Sequence, residues 1–167
     1  GDAMVDKFIV GRVTRISPEA PVPVVTFDHD MYRMGGAANV ASNVVALGGH
    51  ATLVAVTGRD EAAATLAEAC HEAGIAPSFV GDPGRPTTTK TRVVTDRNQQ
   101  VARIDYESDA EVGGEIEDRI IAEIRKHASR AASGDSLLSK MWMLSFAATD
   151  CPARLAASAS SGAAAVR

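Results

Sequence analysis

The run Gly35-Gly36-Ala37-Ala38-Asn39 has the residue types and spacing that most directly suggest ligand chemistry. Two glycines lie directly before a helical pattern, where they allow the backbone to approach a bound molecule closely. The first turn of a helix also has N–H groups without intrahelical partners, which favour hydroxyls and developing negative charge. Asn39 adds an amide that both donates and accepts hydrogen bonds. We therefore expect a ligand-binding helix start at this run.

A second chemical pattern lies on a predicted β-hairpin, in which residues 88–95 and 99–105 flank a turn at Asp96-Arg97-Asn98. Successive side chains of a strand point to opposite faces, so Lys90 and Arg92 are expected on the same face. One anion can then contact both, because arginine binds phosphate in a bidentate manner and lysine supplies a point charge. The structural alternative is that both charges simply face solvent.

The helix after the glycine run carries an apolar stripe at Val40, Val44 and Leu47 and is expected to end at Gly48-Gly49. A second helix is predicted after Asp60, a residue that favours the N-cap position. These two helices would position the glycine run and the segment that leads to the hairpin.

Strand and helix patterns alternate along the first three quarters of the chain. Residues 7–13 and 22–27 are predicted strands, and residues 51–57 are almost continuously apolar, which is typical of a strand buried on both faces of a parallel sheet. Amphipathic helices are predicted over about 61–73 and 115–126. This alternation predicts an α/β fold with a separate small β-layer.

The composition is typical of a globular protein, with 167 residues of which 46% are hydrophobic and 23% charged. The net charge of −4 gives no broad basic face for nucleic acid. No apolar stretch approaches the ~20 residues that a membrane-spanning helix needs. Neither Cys70 nor Cys151 has the spacing of a metal site. We expect no nucleic-acid or membrane partner and no metal site among the residues of this chain.

Several motifs follow one another in order over roughly residues 1 to 125. They are Gly1-Asp2-Ala3-Met4-Val5-Asp6, Arg15-Ile16-Ser17-Pro18-Glu19-Ala20-Pro21-Val22-Pro23-Val24, Arg33, the glycine run, Thr87-Thr88-Thr89-Lys90-Thr91-Arg92, Asn98-Gln99-Gln100 and Arg103-Ile104-Asp105. This set closely resembles the N-terminal half of the heptose-7-phosphate kinases, which are ribokinase-like sugar kinases of ADP-heptose and lipopolysaccharide synthesis. The long run that begins at Arg15 separates this family from ribokinases and fructokinases at large.

The resemblance implies a ribokinase-like α/β fold, in which a parallel sheet flanked by helices carries a small β-sheet lid formed by about residues 7–33 and 87–105. It places the N-terminal sugar-binding part at residues 1–127. It implies a cytoplasmic enzyme that transfers the γ-phosphoryl group of Mg-ATP to O1 of D-glycero-β-D-manno-heptose 7-phosphate. It also implies a homodimer formed through the lid strands.

By the same resemblance, Asp6 accepts hydrogen bonds from sugar hydroxyls, and Gly35, Gly36 and Asn39 contact the sugar as well. Gln100 is a further hydroxyl contact. The cations that could bind the phosphate are Arg15, Arg33, Lys90, Arg92 and Arg103. We expect Asp6 and the glycine-opened helix to face a common pocket. The structural alternatives are a turn-stabilising Asp6, a local cap at Asn39 and solvent-facing charges.

The resembling kinases hold ATP and the catalytic base, the Asp of a Gly-Ala-Gly-Asp motif, in their C-terminal half. This chain contains no such motif, so no catalytic residue is assigned. We expect the chain to lack the ATP-binding half and to be inactive alone. The alternatives are a non-catalytic sugar-phosphate-binding or dimerisation fragment, a truncated product without function, and another ribokinase-like sugar kinase.

The composition changes at residue 128, since 12 of the last 40 residues are Ala and 8 are Ser. One explanation is a shifted reading frame, a recombined end or a fragment. The other is a divergent helical tail. Both explanations are compatible with a disordered segment.

Overall fold

The computed structural model describes residues 2–132, with side chains as far as residue 128. The elements within this range are β1 (Ala3–Ile16), β2 (Pro23–Gly36), α1 (Ala37–Ala46), β3 (Thr52–Thr57), α2 (Glu61–Glu72), β4 (Ala76–Gly81), β5 (Thr89–Thr95), β6 (Gln100–Tyr106) and α3 (Gly114–Ala132). They form a four-stranded sheet of order β2-β1-β5-β6 and a two-stranded sheet of β3 and β4.

The four-stranded sheet is mixed. Strand β1 pairs antiparallel with β2 and parallel with β5, and β5 pairs antiparallel with β6. The hairpin predicted around Asp96-Arg97-Asn98 is confirmed as β5 and β6, and Asn98 takes the positive φ of 60° that the turn needs. This sheet corresponds to the small β-layer predicted from the sequence.

The two N-terminal strands are longer than predicted. Strands over 7–13 and 22–27 are confirmed, but β1 already starts at Ala3 and β2 continues to Gly36. The prediction for β2 ended before Asp28-His29-Asp30, because charged residues are uncommon in strands. In the structure His29 and Asp30 pair with Val10 and Ile9 of β1, and Asp28 lies at a register shift between the two strands. The glycine run therefore follows directly from a paired strand.

Strand β3 is buried on both faces, as predicted. Leu53 and Ala55 pack in a core cluster with Leu66 and Cys70 of α2. The alternate residues pack against α3, in a second cluster around Ile120. Strand β4 pairs parallel with β3 and was not predicted, since its sequence Ala-Pro-Ser-Phe-Val-Gly contains three poor strand formers.

The two predicted amphipathic helices are confirmed as α2 and α3. The Asp60 side chain caps α2 by accepting a hydrogen bond from the Ala63 N–H at 3.0 Å. Helix α3 continues to Ala132, so the predicted division after residue 127 falls within it and remains a prediction. The rest of the Ala- and Ser-rich tail, residues 133–167, lies outside the described residues.

The apolar stripe predicted for α1 is wrong at its last member, because Leu47 is 83% exposed. The buried residues of α1 are Ala38 and Ala41, which pack in the first core cluster with Ala3 and Val5 of β1. Small side chains let the helix approach the strand closely, a requirement that hydrophobic spacing does not reveal. Among the described residues, none of the helices is long and apolar enough to cross a membrane.

Candidate functional site

One face of the four-stranded sheet carries most of the predicted site residues. Directly paired residues share a face. Asp6 is paired with Arg33 on β2 and with Lys90 on β5. Two residues along, Arg92 is paired with Phe8 and with Arg103. We call this surface the charged face, and its members are Asp6, Phe8, Arg33, Gly35, Lys90, Arg92, Arg103 and Asp105.

Asp6 is the centre of this face. The Arg92 guanidinium donates from Nη1 to Asp6 Oδ1 at 2.5 Å, and both side chains are about three quarters buried. The other carboxylate oxygen, Oδ2, lies beside Gly35. A Cβ at position 35 would stand 2.9 Å from Oδ2 and 2.7 Å from Met4 Cγ, so only glycine fits there. The structure therefore brings Asp6, Gly35 and Arg92 together.

The start of α1 lies next to this carboxylate. Gly36 is its N-cap residue and has a positive φ of 54°, and a Cβ there would collide with the Asp2 carbonyl oxygen. That carbonyl accepts a hydrogen bond from the Ala37 N–H at 2.9 Å. The helix has no side-chain cap and no acidic residue in its first turn, where Asn39 is exposed. A neutral, uncapped helix start is compatible with hydroxyl or anion binding.

Two of the predicted cations, Lys90 and Arg103, contact acidic side chains on β6 and just after it, and both contact Asp105. Lys90 Nζ lies 3.0 Å from Glu107 Oε2 and 3.4 Å from Asp105 Oδ2. Arg103 donates from Nε to Asp105 Oδ1 at 2.9 Å. The hydrogen bond to Glu107, followed by that to Asp105, raises the pKa of Lys90. Burial works against ionisation of Asp105, but its hydrogen bonds from Arg103 and Lys90 outweigh it and lower the pKa of that carboxyl.

Arg33 differs from the other three cations of the charged face, Lys90, Arg92 and Arg103, which form ion pairs. No carboxylate lies within ion-pair distance of it in the part of the chain that the structure describes. Its guanidinium carbon lies 5.2 Å from the centre of the Phe8 ring, and that of Arg92 lies 5.4 Å from the same ring. Phe8 was not predicted as a site residue, although its spacing of two from Asp6 places both side chains on one face of a strand.

Two predicted residues lie far from this group. Arg15 pairs with Val24 beside the turn between β1 and β2, nine residues from Asp6. At about 3.3 Å per residue this separation is about 30 Å. Gln100 pairs with Val94 near the tip of the other hairpin. The structure does not bring either residue to Asp6.

A cavity of about 430 Å³ lies on the opposite face of the sheet, towards the start of α2. Its lining includes Lys7, Tyr32, Thr91 and Tyr106 and does not include Asp6 or any glycine of the run. Asp6 packs directly against Gly35 on the other face of the sheet from this cavity. A common pocket for Asp6 and the glycine-opened helix therefore stays a prediction.

The residues from 2 to 132 offer no metal site, since no three or more of their His, Cys, Asp and Glu side chains are grouped to hold an ion.

Residues 3–148 match the family model described as pfkB family carbohydrate kinase. The chain is 45% identical over 133 residues to the bifunctional protein HldE of Rhodopseudomonas palustris strain HaA2, covering 78% of this chain and 27% of that protein. It is 53% identical over 107 residues to the bifunctional protein HldE of Azotobacter vinelandii, covering 64% of this chain and 22% of that protein. The chain thus spans about a quarter of the length of these curated relatives.

Solved structures show the same fold. A carbohydrate kinase from Agrobacterium tumefaciens superposes with a TM-score of 0.53 at 24% identity, covering 62% of this chain and 33% of that one. A putative phosphofructokinase from Staphylococcus aureus gives a TM-score of 0.56 at 13% identity, covering 74% and 37%. These similarities confirm the predicted ribokinase-like α/β fold. Because the family model covers most of the sequence, this chain belongs to the pfkB family of carbohydrate kinases.

Proposed function

We propose that this chain is the sugar-phosphate-binding part of a kinase that transfers the γ-phosphoryl group of ATP to O1 of D-glycero-β-D-manno-heptose 7-phosphate, in ADP-heptose synthesis. The observation that carries the proposal is the packing of the Asp6 carboxylate against Gly35 with Arg92 on its other oxygen. The identity to the HldE proteins and the long motif beginning at Arg15 support the choice of heptose 7-phosphate.

In this proposal Asp6 is the principal acceptor for sugar hydroxyls. Arg92 occupies Oδ1, which leaves Oδ2, on the glycine side, for a hydroxyl of the sugar. Gly35 and Gly36 allow the sugar to approach the backbone, and the Asn39 amide contacts a further hydroxyl from the first turn of α1. The acceptor sugar is thereby held at the junction between β2 and α1.

The phosphate of the substrate is bound by cations of the charged face. Lys90, Arg92 and Arg103 are held in place by carboxylates, which reduces the entropy lost when they bind an anion. Arg33 supplies a charge without such a partner among the described residues. Arg15 and Gln100 lie too far from Asp6 to contact the same ligand in this conformation.

Mg-ATP supplies the transferred phosphoryl group and the charge neutralisation that phosphoryl transfer requires. The residues of this chain contribute substrate positioning, because holding the acceptor hydroxyl in one geometry lowers the entropic part of the barrier. With no Gly-Ala-Gly-Asp motif in the sequence, we assign no catalytic base and expect no turnover by these 167 residues alone.

Calorimetric titration of the chain with separate ligands tests the proposal. Heptose 7-phosphate should bind without ATP, at least tenfold more tightly than heptose without phosphate, and ATP should give no saturable heat. Absence of heptose 7-phosphate binding would overturn the proposal. Tighter binding of fructose 6-phosphate than of heptose 7-phosphate would favour the second candidate, another ribokinase-like sugar kinase.

We further propose a homodimer formed by the four-stranded sheet. The face opposite the charged face is rich in exposed large apolar and aromatic side chains, and contiguous exposed patches of this kind mark interaction surfaces. We call it the apolar face, and its exposed members are Val13, Phe27, Tyr32, Ile104 and Tyr106.

A further inference from the structure

Phe8 is flanked by two arginines from different strands. Arg33 lies on β2 and Arg92 on β5, the two neighbours of β1 in the sheet. Their guanidinium carbons lie 5.2 Å and 5.4 Å from the centre of the Phe8 ring, within the range of a cation–π interaction. One half-buried aromatic side chain therefore contacts two cations that reach it from opposite sides of its own strand.

The two arginines differ in how much of their charge is already compensated. Arg92 is paired with Asp6, whereas no carboxylate of residues 2–132 lies within ion-pair distance of Arg33. An aromatic ring attracts a guanidinium without neutralising it, so the ring can fix the direction of Arg33 and leave its charge available. Arg33 Nη2 donates one weak hydrogen bond, to Met31 Sδ at 3.9 Å. An anion beside the two guanidiniums would therefore find N–H donors on Arg33 that no carboxylate occupies.

The spacing along β1 also suits a sugar phosphate. Asp6 and Phe8 are two residues apart on the same face, which separates them by about 7 Å along the strand. A ligand whose hydroxyls bind Asp6 would then extend its terminal phosphate towards Phe8 and the two arginines. Arg92 contacts both ends of this arrangement, since it donates to Asp6 and lies against the ring.

We infer that Phe8 is a positioning residue that holds Arg33 and Arg92 as a clamp for a phosphomonoester dianion. The ring orients the two guanidiniums and does not itself bind the anion. The identity of the anion as the phosphate of heptose 7-phosphate rests on the proposed function, whereas binding of phosphate between the two arginines does not.

Nuclear magnetic resonance of the arginine Nε–Hε groups tests the clamp directly, with inorganic phosphate as the probe. The signals of Arg33 and Arg92 should shift together and saturate with one dissociation constant. In Phe8→Leu, which keeps an apolar side chain but removes the ring, this constant should rise at least fivefold. In Phe8→Tyr, which keeps the ring, it should stay within twofold of the wild-type value.

Two further variants keep the test independent of any loss of folding in Phe8→Leu. Arg33→Gln should weaken phosphate binding at least fivefold. Arg12→Gln, which removes an exposed cation farther along β1, the strand that carries Phe8, should leave phosphate binding within twofold of the wild-type value. Absence of shifts at the two arginines, or equal phosphate binding by Arg33→Gln and the wild type, would overturn the clamp.

The clamp and the proposed function can fail separately. If phosphate shifts both arginines but heptose 7-phosphate does not bind, the proposed function is wrong and the clamp stands. If folded Phe8→Leu binds heptose 7-phosphate as tightly as the wild type does, the clamp is wrong and the proposed function stands.

Discussion

At the scale of single residues, the missing side chain at position 35 allows β2 and the Asp6 carboxylate to pack together. Gly35→Ala would place a methyl group 2.7 Å from Met4 Cγ and 2.9 Å from Asp6 Oδ2. Overpacking of this kind costs typically about 1–3 kcal/mol. We therefore predict lower stability in urea denaturation and at least tenfold weaker heptose 7-phosphate binding, because Asp6 must move.

Gly113 provides the matched control, since a Cβ there meets nothing within 4 Å. Gly113→Ala should change neither the urea midpoint nor the affinity. If Gly35→Ala behaved like Gly113→Ala, the contact between position 35 and Asp6 would not matter for binding.

The roles of individual residues could be predicted only for residues that belong to a motif of the resembling family. The resemblance pointed to Asp6, Gly35 and Gly36, which the structure brings to one junction between strand and helix. Phe8 was missed because a phenylalanine in a strand ordinarily indicates a core position. The pairing of Lys90 with Glu107 was missed as well, because it depends on the register between strands, which sequence spacing does not determine.

At the scale of elements, Asp60 and Thr87 join the start of α2 to the segment that leads into β5. The Thr87 hydroxyl donates to Asp60 Oδ1 at 2.6 Å, and the Thr87 backbone N–H donates to Asp60 Oδ2 at 2.8 Å. The same hydroxyl accepts from the Gly58 N–H at 2.9 Å. Because Thr87 is only 1% exposed, water cannot readily replace these partners.

Thr87→Val keeps the shape of the side chain but leaves the Gly58 N–H without its partner. We predict a loss of about 1–3 kcal/mol in the free energy of unfolding, measured by urea denaturation. Thr52→Val, at an exposed strand position, should change it by less than about 0.5 kcal/mol. Equal losses in the two variants would contradict the assigned role of the buried hydroxyl.

Asp60 also gives a prediction about pH. Burial works against its ionisation, but the hydrogen bonds from Thr87 and from Ala63 outweigh it, so the pKa of Asp60 is lowered on folding. Because the pKa is lower in the folded state, ionised Asp60 stabilises the fold at pH values above about 3.9, the pKa of Asp in an unfolded chain. This contribution is lost as the pH falls through the pKa of the folded state. Asp60→Asn should therefore lose less stability than the wild type between pH 6 and pH 3. An equal acid-induced loss in both proteins would contradict this assignment.

Elements with strong local signals were predictable, and those set by pairing were not. The cap at Asp60, the apolar run of β3 and the turn at Asp96-Arg97-Asn98 each correspond to an element of the structure. The extension of β2 beyond Phe27 and the whole of β4 depend on pairing with neighbouring strands, and the propensities of their residues gave no indication of it.

At the scale of the whole molecule, the four-stranded sheet has two unlike faces. The charged face bears the candidate site, and the apolar face exposes 61% of Phe27 and 54% of Tyr106. We predict that analytical ultracentrifugation at tens of micromolar will show a dimer and that Phe27→Glu will make it monomeric, because association would bury an unpaired charge.

The control for this experiment is Leu47→Glu, which adds the same charge at the exposed end of α1, outside the sheet. It should remain dimeric. A monomeric wild-type protein, or a Phe27→Glu variant that still dimerises, would contradict the proposed dimer without affecting the candidate site on the charged face.

The central claim is that Asp6 holds the hydroxyls of a phosphorylated sugar beside the glycine-opened helix. The most direct test is the calorimetric affinity for heptose 7-phosphate of Asp6→Asn, compared with that of Asp109→Asn at an exposed position outside the sheets. Loss of a hydrogen bond to a charged group costs about 1.5–3 kcal/mol, which corresponds to about 10- to 150-fold in affinity. We predict that Asp6→Asn binds heptose 7-phosphate more weakly by this factor and that Asp109→Asn binds it as tightly as the wild type does. Equal affinities of Asp6→Asn and the wild type would contradict the account.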